Sequence, residues 1–115
     1  MLPGSLPSRI RICEMGPRDG LQNIPETVPP EVKLGLIDRL QDAGLSYIEV
    51  AAFVSPKAVP QMADAQAVCA GLKRRPGVSY AALAPNVQGL ERALACGIQE
   101  AVSYTHLTLP TNREV

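Results

Sequence analysis

The segment YIEVAAFV, residues 47–54, decides the fold class of this 115-residue chain. It is apolar at almost every position, which is typical of a strand that is covered on both faces within a parallel sheet. A single acid, Glu49, interrupts it. A carboxylate buried in such a strand needs a polar partner, and the alternative is an acid that points to solvent where the strand ends.

Helical patterns lie on both sides of this strand. Residues 31–44 carry apolar side chains at helical spacing between two prolines and Gly44, and the predicted inner face consists of Val32, Leu36, Ile37 and Leu40. A second helical pattern ends in the basic run 73–75, whose charges would complement a helix carboxyl end. Its predicted inner face consists of Met62, Ala65, Val68, Cys69 and Leu72.

Three further segments extend the alternation of strand and helix. RIRICEM, residues 9–15, alternates charged and apolar residues ahead of a Gly-Pro turn and predicts a first strand. VSYAALA, residues 78–84, predicts a third strand, followed by a helix with Asn86 as its N-cap and Gly97 as its stop. The predicted inner face of that helix consists of Leu90, Ala93 and Leu94. IQEAV, residues 98–102, predicts the start of a fourth strand.

The alternation predicts an α/β fold in which parallel strands are joined by right-handed crossovers. Two architectures share this order: a doubly wound sheet and the opening of a (β/α)8 TIM barrel. Because no Gly-x-Gly-x-x-Gly pattern follows the first strand, the dinucleotide-binding sheet is disfavoured. The TIM barrel therefore gains weight: residues 1–101 would form its first three βα units and the start of a fourth strand, and a complete barrel needs about 250 residues.

Composition excludes several kinds of partner. The chain has 11 basic and 11 acidic residues and few aromatic residues, so it offers neither a basic surface nor stacking platforms for nucleic acid. It contains no apolar run of about 18 residues, so no membrane association is predicted and a cytoplasmic location is expected. The cysteines, Cys13, Cys69 and Cys96, fit neither a disulfide framework nor a zinc site and are expected to be reduced core thiols.

GPRDGLQN, residues 16–23, follows the first predicted strand and carries the candidate site. In either architecture reactive groups lie at the carboxyl ends of the strands, so Arg18 and Asp19 are predicted to converge with Glu49. Asp19 could ligate a hard divalent cation, Arg18 could hold an anionic or developing oxyanionic group, and Gln22 adds an uncharged donor and acceptor. The alternative is a salt bridge that only ties the loop.

Three stretches, GPRDGLQN, GLSYIEVAAFVSPKAVPQM and APNVQGLERALACGIQEAV, resemble the N-terminal part of the 3-hydroxy-3-methylglutaryl-CoA lyase family, in that family's order and spacing. The resemblance runs from about Arg9 to about Val102. The family is part of a metal-dependent, pyruvate carboxyltransferase-like TIM-barrel group. FVSPKAVPQM, residues 53–62, and Gly16-Pro17 before Arg-Asp-Gly separate the chain from the isopropylmalate and homocitrate synthases of that group.

The resemblance implies a lyase of leucine degradation that cleaves 3-hydroxy-3-methylglutaryl-CoA, a CoA thioester, to acetyl-CoA and acetoacetate with Mg²⁺ or Mn²⁺. It implies that Arg18 is catalytic and binds the substrate, by stabilising the thioester oxygen as it becomes an enolate. It further implies that Asp19 is a metal ligand, that Glu49 is catalytic by supporting and orienting this pair, and that Gln22 binds substrate beside them. A homo-oligomeric parent enzyme is compatible with it.

The family's remaining functional groups match no position in this chain. They are a His-x-His pair and an asparagine that bind the metal, and a catalytic cysteine on a glycine-rich loop. The chain by itself is therefore expected to be an inactive fragment. The alternatives are a fragment of an acyl-transferring synthase of the same barrel group and a non-catalytic binding module.

Residues 102–115 are predicted to be a non-native tail. VSYTHLTLPT, residues 102–111, departs from the family's pattern and resembles the in-frame translation of a transposase adaptor used in shotgun DNA libraries. The predicted domain boundary lies between residues 101 and 102. His106, the single histidine of the chain, is given no role.

Overall fold

A computed structural model describes residues 6–103 and shows helices and strands that alternate along the chain. The helices are α1 (Pro30–Asp42), α2 (Ala65–Ala70) and α3 (Val87–Ala95), and the strands are β1 (Tyr47–Ala52), β2 (Ser79–Leu83) and β3 (Glu100–Val102). A π-helical turn at Gly16–Gly20 precedes α1, and a 3₁₀ turn at Pro60–Met62 precedes α2. None of the helices described is long and apolar enough to cross a membrane. The order confirms the predicted α/β fold.

The described strands form one parallel sheet in the order β1-β2-β3. Glu49 lies opposite Ala81, and Ala81 lies opposite Glu100, so these residues share one layer of the sheet. The register shifts between Glu49 and Ala51, which is a local irregularity in β1 immediately beyond the acid. The predicted second and third strands are confirmed, and the fourth is present over Glu100–Val102.

The predicted first strand is reduced to a single bridge. Within residues 9–15, only Glu14 pairs with β1: its amide donates to the carbonyl oxygen of Tyr47 at 2.9 Å, and its own carbonyl oxygen accepts from Glu49 N at 2.8 Å. Ile10, earlier in the segment, is exposed. The prediction of a full strand is wrong here because, in the described part of the chain, this segment has a strand on one side only, so its apolar side chains stay in solvent.

The inner faces of α1 and α3 differ from the predicted ones. In α1, Ile37 is buried as expected, but Val32 is exposed and Lys33 is buried instead. In α3, Ala93 is buried, whereas Leu94 is exposed. The remaining predicted inner residues of these helices are half-buried or exposed: Leu36, Leu40 and Leu90. Helical spacing does not tell which part of an apolar stripe meets the sheet, because the stripe is wider than the surface that the described strands offer.

Helix α2 buries most of its predicted inner face but ends at Ala70, before the basic run 73–75. The Arg74 guanidinium instead donates to the carbonyl oxygens of Cys96 and Gly97, at 2.8 and 2.9 Å, just beyond the end of α3. Arg74 therefore complements the carboxyl end of α3, whereas Lys73 and Arg75 pair with Asp38 and Asp42 of α1. The prediction that the run complements α2 is wrong.

The predicted carboxyl ends of α1 and α3 and the predicted N-cap of α3 are confirmed. The Asn86 side chain accepts a hydrogen bond from Gly89 N at 2.8 Å and caps the first turn of α3. Gly44 follows α1 with a φ of 98°, and Gly97 follows α3 with a φ of 75°. Because residues with a side chain rarely adopt this left-handed conformation, glycine suits both positions.

A buried ion pair joins α1 to the connection between β1 and α2. Lys33 is 1% exposed, and its Nζ donates to Asp64 Oδ1 at 2.7 Å and to the carbonyl oxygen of Gln61 at 2.5 Å. The Gln61 side chain donates through Nε2 to the carbonyl oxygen of Ile24 at 2.8 Å. These bonds tie α1 and the 3₁₀ turn to the segment that follows the Gly16–Gly20 turn, so two connections are held together at the carboxyl end of the sheet.

Removing one partner of this pair is expected to destabilise the protein strongly. In Lys33→Met the Asp64 carboxylate loses its cation, and we expect the free energy of unfolding to fall by about 3 kcal/mol. The matched control is Lys73→Met: the Lys73 side chain is 83% exposed and lies 3.8 Å from Asp38. We expect that change to stay below about 0.5 kcal/mol. Urea denaturation measures both, and equal effects would contradict a structural role for the buried pair.

Candidate active site at the carboxyl ends of the strands

The π-helical turn Gly16–Gly20 reverses the backbone directly after the Glu14 bridge. The amides of three of its residues converge on the carbonyl oxygen of Met15: those of Arg18, Asp19 and Gly20, at 3.2, 2.7 and 3.3 Å. A single carbonyl oxygen therefore organises the turn. Such short π-helical elements are frequent at functional sites.

Glu14 sets the start of the turn. Gly16 N donates to Glu14 Oε2 at 2.9 Å, and a Cβ added at Gly16 would lie 2.8 Å from that same oxygen. The close approach is compatible with glycine, and Pro17 then continues the chain with a fixed φ. Sequence analysis did not identify Glu14 as a residue that builds the site, although its position just before the Gly-Pro pair was a usable signal.

An ion pair between Arg18 and Glu49 is the centre of the site. Arg18 Nε donates to Glu49 Oε1 at 2.6 Å, and the two side chains are only 6% and 2% exposed. A charge-assisted hydrogen bond is strong in such surroundings, and removing either partner would deprive the other buried charge of this bond. The acid in the apolar strand thus has the partner that its burial demands. The alternative in which Glu49 points to solvent is wrong.

Two more predicted residues contact the same guanidinium. Arg18 Nη1 lies 3.5 Å from Asp19 Oδ1 and 3.4 Å from Gln22 Oε1. The Asp19 side chain is 57% exposed and forms the solvent-facing rim. Asn23, which sequence analysis did not identify, donates from Nδ2 to the carbonyl oxygen of Asp19 at 2.8 Å and steadies the rim. The structure therefore brings together Arg18, Asp19, Gln22 and Glu49.

A second polar layer lies toward the amino ends of the strands. Tyr47 precedes Glu49 by two residues in β1 and so points to the same face of the sheet. The Arg11 guanidinium lies 4.3 Å from the centre of the Tyr47 ring and 3.8 Å from the Glu100 carboxylate. Burial, followed by the charge and hydrogen bond of Glu100, raises the pKa of Tyr47 to about 12. These contacts of Arg11 hold residues 9–15 near β1 ahead of Glu14, which is the residue of this segment that pairs with β1.

The site meets part of the needs of a divalent cation. Asp19 presents an exposed carboxylate, which is the oxygen ligand that Mg²⁺ and Mn²⁺ prefer. The Glu49 carboxylate is instead buried against Arg18. Among residues 6–103, no group of three His, Cys, Asp or Glu side chains could hold a metal ion. The described residues therefore fit one ligand of such a site and not a complete set.

The cysteines differ in exposure. Cys69 is buried in α2 and belongs to the apolar core, as expected, and Cys96 is half-buried against that core. Cys13 is exposed, so the expectation of a core thiol is wrong for it, because it lies in the segment that does not pair with β1. Burial, with a smaller contribution from Cys96, raises the pKa of the Cys69 thiol to about 12.

Parallel βα order and a charged cluster at the carboxyl ends of the strands define the class: the amino-terminal section of a (β/α) barrel with a strand-end site. The HMGL-like family model matches residues 9–112, and the chain belongs to this family. The family inferred from the sequence is thereby confirmed.

The boundary predicted between residues 101 and 102 stays a prediction. Val102, the last residue of β3, pairs with Leu83 of β2, and residues 104–115 lie outside the described part.

Curated relatives are lyases. The 3-hydroxy-3-isohexenylglutaryl-CoA/hydroxy-methylglutaryl-CoA lyase of Pseudomonas aeruginosa is 53% identical over 100 residues, which are 87% of this chain and 33% of that protein. The mitochondrial hydroxymethylglutaryl-CoA lyase of Rattus norvegicus is 54% identical over 97 residues, which are 84% of this chain and 30% of that protein. The chain spans about a third of the length of the curated relatives it matches.

Solved structures agree with these relatives. The crystal structure of hydroxymethylglutaryl-CoA lyase from Pseudomonas aeruginosa matches with a TM-score of 0.80 at 55% identity, over 84% of this chain and 32% of that one. An HMG-CoA lyase from Acinetobacter baumannii, in complex with coenzyme A and 3-methylmalate, matches with a TM-score of 0.77 at 41% identity, over 79% of this chain and 30% of that one. The predicted N-terminal part of a TIM barrel is confirmed.

The raised pKa of Cys69 predicts both its reactivity and a pH dependence. At about pH 8 we expect iodoacetamide to modify exposed Cys13 in the folded protein and to spare Cys69, whose thiol stays protonated. Because the folded pKa lies above the ordinary 9.0, the protonated thiol stabilises the fold below pH 9 and this contribution is lost as the pH rises toward 12. Urea denaturation across that range should show a smaller fall in Cys69→Ala. Equal alkylation of Cys13 and Cys69 in the folded protein would contradict this.

Proposed function

We propose that the full-length protein carrying this sequence cleaves 3-hydroxy-3-methylglutaryl-CoA to acetyl-CoA and acetoacetate. The observation that carries the proposal is the buried Arg18–Glu49 pair, which holds a guanidinium at the carboxyl end of the sheet beside the exposed Asp19 carboxylate. It lies within the region that is 53% identical to the Pseudomonas aeruginosa lyase.

Negative charge has to be stabilised during this cleavage. The tertiary hydroxyl on carbon 3 gives its proton to a base. Carbon 3 then becomes the ketone carbon of acetoacetate as its bond to the acetyl thioester breaks. The electrons of the broken carbon–carbon bond move onto the acetyl thioester as an enolate, which takes up a proton and leaves as acetyl-CoA. In our proposal Arg18 stabilises the thioester oxygen as the enolate forms, because a cation already held in position needs no reorganisation.

Glu49 contributes orientation in this proposal. Its carboxylate binds Nε of Arg18, and Gln22 contacts Nη1, so the plane of the guanidinium is restrained from two sides. A catalytic group held in one geometry saves the entropy that would otherwise be lost in the transition state. We propose that Gln22 also contacts the substrate, since it lies beside Arg18 Nη1 and adjoins a cavity.

Asp19 is the proposed metal ligand, for Mg²⁺ or Mn²⁺. When bound, such an ion supplies Lewis-acid polarisation of the substrate oxygens. The chain's own contribution is one exposed carboxylate, kept 3.5 Å from the Arg18 guanidinium. Part of the ligand set would have to come from outside residues 6–103, because no group of three His, Cys, Asp or Glu side chains among the described residues could hold a metal ion.

The relatives favour a lyase over the two alternatives, an acyl-transferring synthase and a non-catalytic binding module. The Pseudomonas aeruginosa and rat proteins are both named as lyases. The name of the Pseudomonas aeruginosa protein covers a 3-isohexenyl and a 3-methyl substrate. We therefore propose 3-hydroxy-3-alkylglutaryl-CoA thioesters as the substrate class, with 3-hydroxy-3-methylglutaryl-CoA as its simplest member.

The proposed partner is a small-molecule CoA thioester, which the coenzyme A in the Acinetobacter baumannii structure supports. The lack of a nucleic-acid partner and a homo-oligomeric parent stay predictions. A cytoplasmic location also stays a prediction, and the name of the rat relative places that protein in mitochondria.

Variants at the ion pair separate catalysis from a loop-tying salt bridge. In the full-length protein we expect Arg18→Gln to lower kcat by about a hundredfold or more, the scale for losing one oxyanion donor. The single change also removes the cation that lies 2.6 Å from the buried Glu49 carboxylate, so the double variant Arg18→Gln/Glu49→Gln is needed; it should regain stability but not activity. Arg39→Gln, at an exposed position in α1, is the matched control. Normal turnover in the double variant would leave Arg18 with a structural role alone.

The 115-residue chain itself is expected to lack lyase activity. Its described residues include no group of three His, Cys, Asp or Glu side chains that could hold a metal ion, and a lone carboxylate such as Asp19 binds Mg²⁺ weakly because the ion gives up its water reluctantly. The assay follows acetoacetate release from 3-hydroxy-3-methylglutaryl-CoA with Mg²⁺ or Mn²⁺, beside the full-length protein as positive control. Cleavage of the substrate by a monodisperse preparation of the chain would contradict the fragment interpretation and show that the chain is active by itself.

A further inference from the structure

A cavity of about 430 Å³ opens beside Gln22, between the connections that follow β1 and β2. Gln22 belongs both to this cavity and to the charged site, because its Oε1 lies 3.4 Å from Arg18 Nη1. Much of the remaining wall is apolar and consists of Val54, Ala58, Val59, Leu83 and Pro85. The cavity is therefore an apolar extension of the candidate active site.

Leu83 relates the cavity to the ion pair. Side chains alternate between the two faces of a strand, so Leu83 points to the same face of β2 as Ala81. Ala81 lies opposite Glu49 in the register of the sheet. The cavity thus lies on the face that carries the Arg18–Glu49 pair, one layer nearer the carboxyl ends of the strands.

Two polar atoms of the wall residues accept hydrogen bonds within the protein. Asn86 Oδ1 accepts from Gly89 N at 2.8 Å, and the carbonyl oxygen of Ser55 accepts from the amides of Ala58 and Val59, both at 3.0 Å. Among residues 6–103, those that line the cavity include no Lys, Arg or His. A carboxylate would lose water here without gaining a cation, whereas a hydrocarbon chain would gain from burial.

We propose that this cavity receives the substituent on carbon 3 of the thioester substrate and admits apolar chains longer than methyl. The proposal rests on the lyase function proposed above. A volume of about 430 Å³ lies within the range of small-molecule sites, and a single methyl group would leave most of it empty. Ala58 contributes only a methyl group to the wall, so a larger side chain at this position would narrow the cavity.

The test compares two substrates in the full-length protein that carries this sequence: 3-hydroxy-3-methylglutaryl-CoA and its 3-isohexenyl analogue, both assayed by release of acetyl-CoA. We expect the wild type to cleave both. Ala58→Phe should lower the ratio of kcat/KM for the isohexenyl over the methyl substrate by about tenfold or more, the scale on which a hydrophobic pocket discriminates. Ala58→Leu fills less space and should have an intermediate effect. Ala70→Phe makes the same change on the exposed side of α2 and should leave the ratio unchanged.

The possible outcomes separate this proposal from the lyase function. An unchanged ratio of kcat/KM in folded Ala58→Phe and Ala58→Leu would overturn the proposal. If both substrates lost activity equally, the cavity would be assigned to a part that they share, such as the CoA arm. Wild-type cleavage of the methyl substrate alone would also overturn it and leave the proposed function intact. Cleavage of neither substrate by the wild type would reject the proposed function and this inference together.

Discussion

The buried carboxylate of Glu49 is the constraint on which the described structure depends. Moving an ionised acid into an apolar strand costs several kcal/mol unless a cation meets it with good geometry. Arg18 supplies that cation from 31 residues earlier in the chain, at 2.6 Å. Its segment therefore has to lie against β1, although a single bridge at Glu14 is all the backbone pairing that the described residues provide there. The sharp turn that follows delivers the guanidinium to the acid.

The far side of that turn is held by a second set of buried polar contacts. Lys33 binds the connection after β1, and Gln61 in that connection binds the carbonyl oxygen of Ile24. The connections that carry the candidate site are thus braced against α1 and against each other, and do not rely on their own backbone alone. Support of this kind keeps a site in one geometry, which a group that must meet a developing charge requires.

Gln22 links charge stabilisation to recognition of the substrate. One side of it contacts the Arg18 guanidinium, and the other adjoins the apolar cavity whose wall includes Ala58. In the proposed function, the apolar substituent of the substrate would be buried next to the group that stabilises the enolate. Binding energy from a non-reacting part of a substrate can then be used to orient the reacting bond. The segment that carries Gln22 would therefore affect both turnover and the preference for the substituent on carbon 3 of the substrate.

Local signals in the sequence were enough to determine the order of strands and helices, the Asn86 cap and the stop glycines, since these depend on neighbours a few residues away. The parallel βα rule also predicted that Arg18 would meet Glu49. Only the tertiary structure decided that Lys33 is buried and that Arg74 binds the end of α3. It likewise decided that Glu14 shapes the turn and that the segment before it leaves the sheet. Most of these contacts form between residues that are far apart in the sequence. The hydrophobic periodicity of a single helix or strand does not tell which surface that element will pack against.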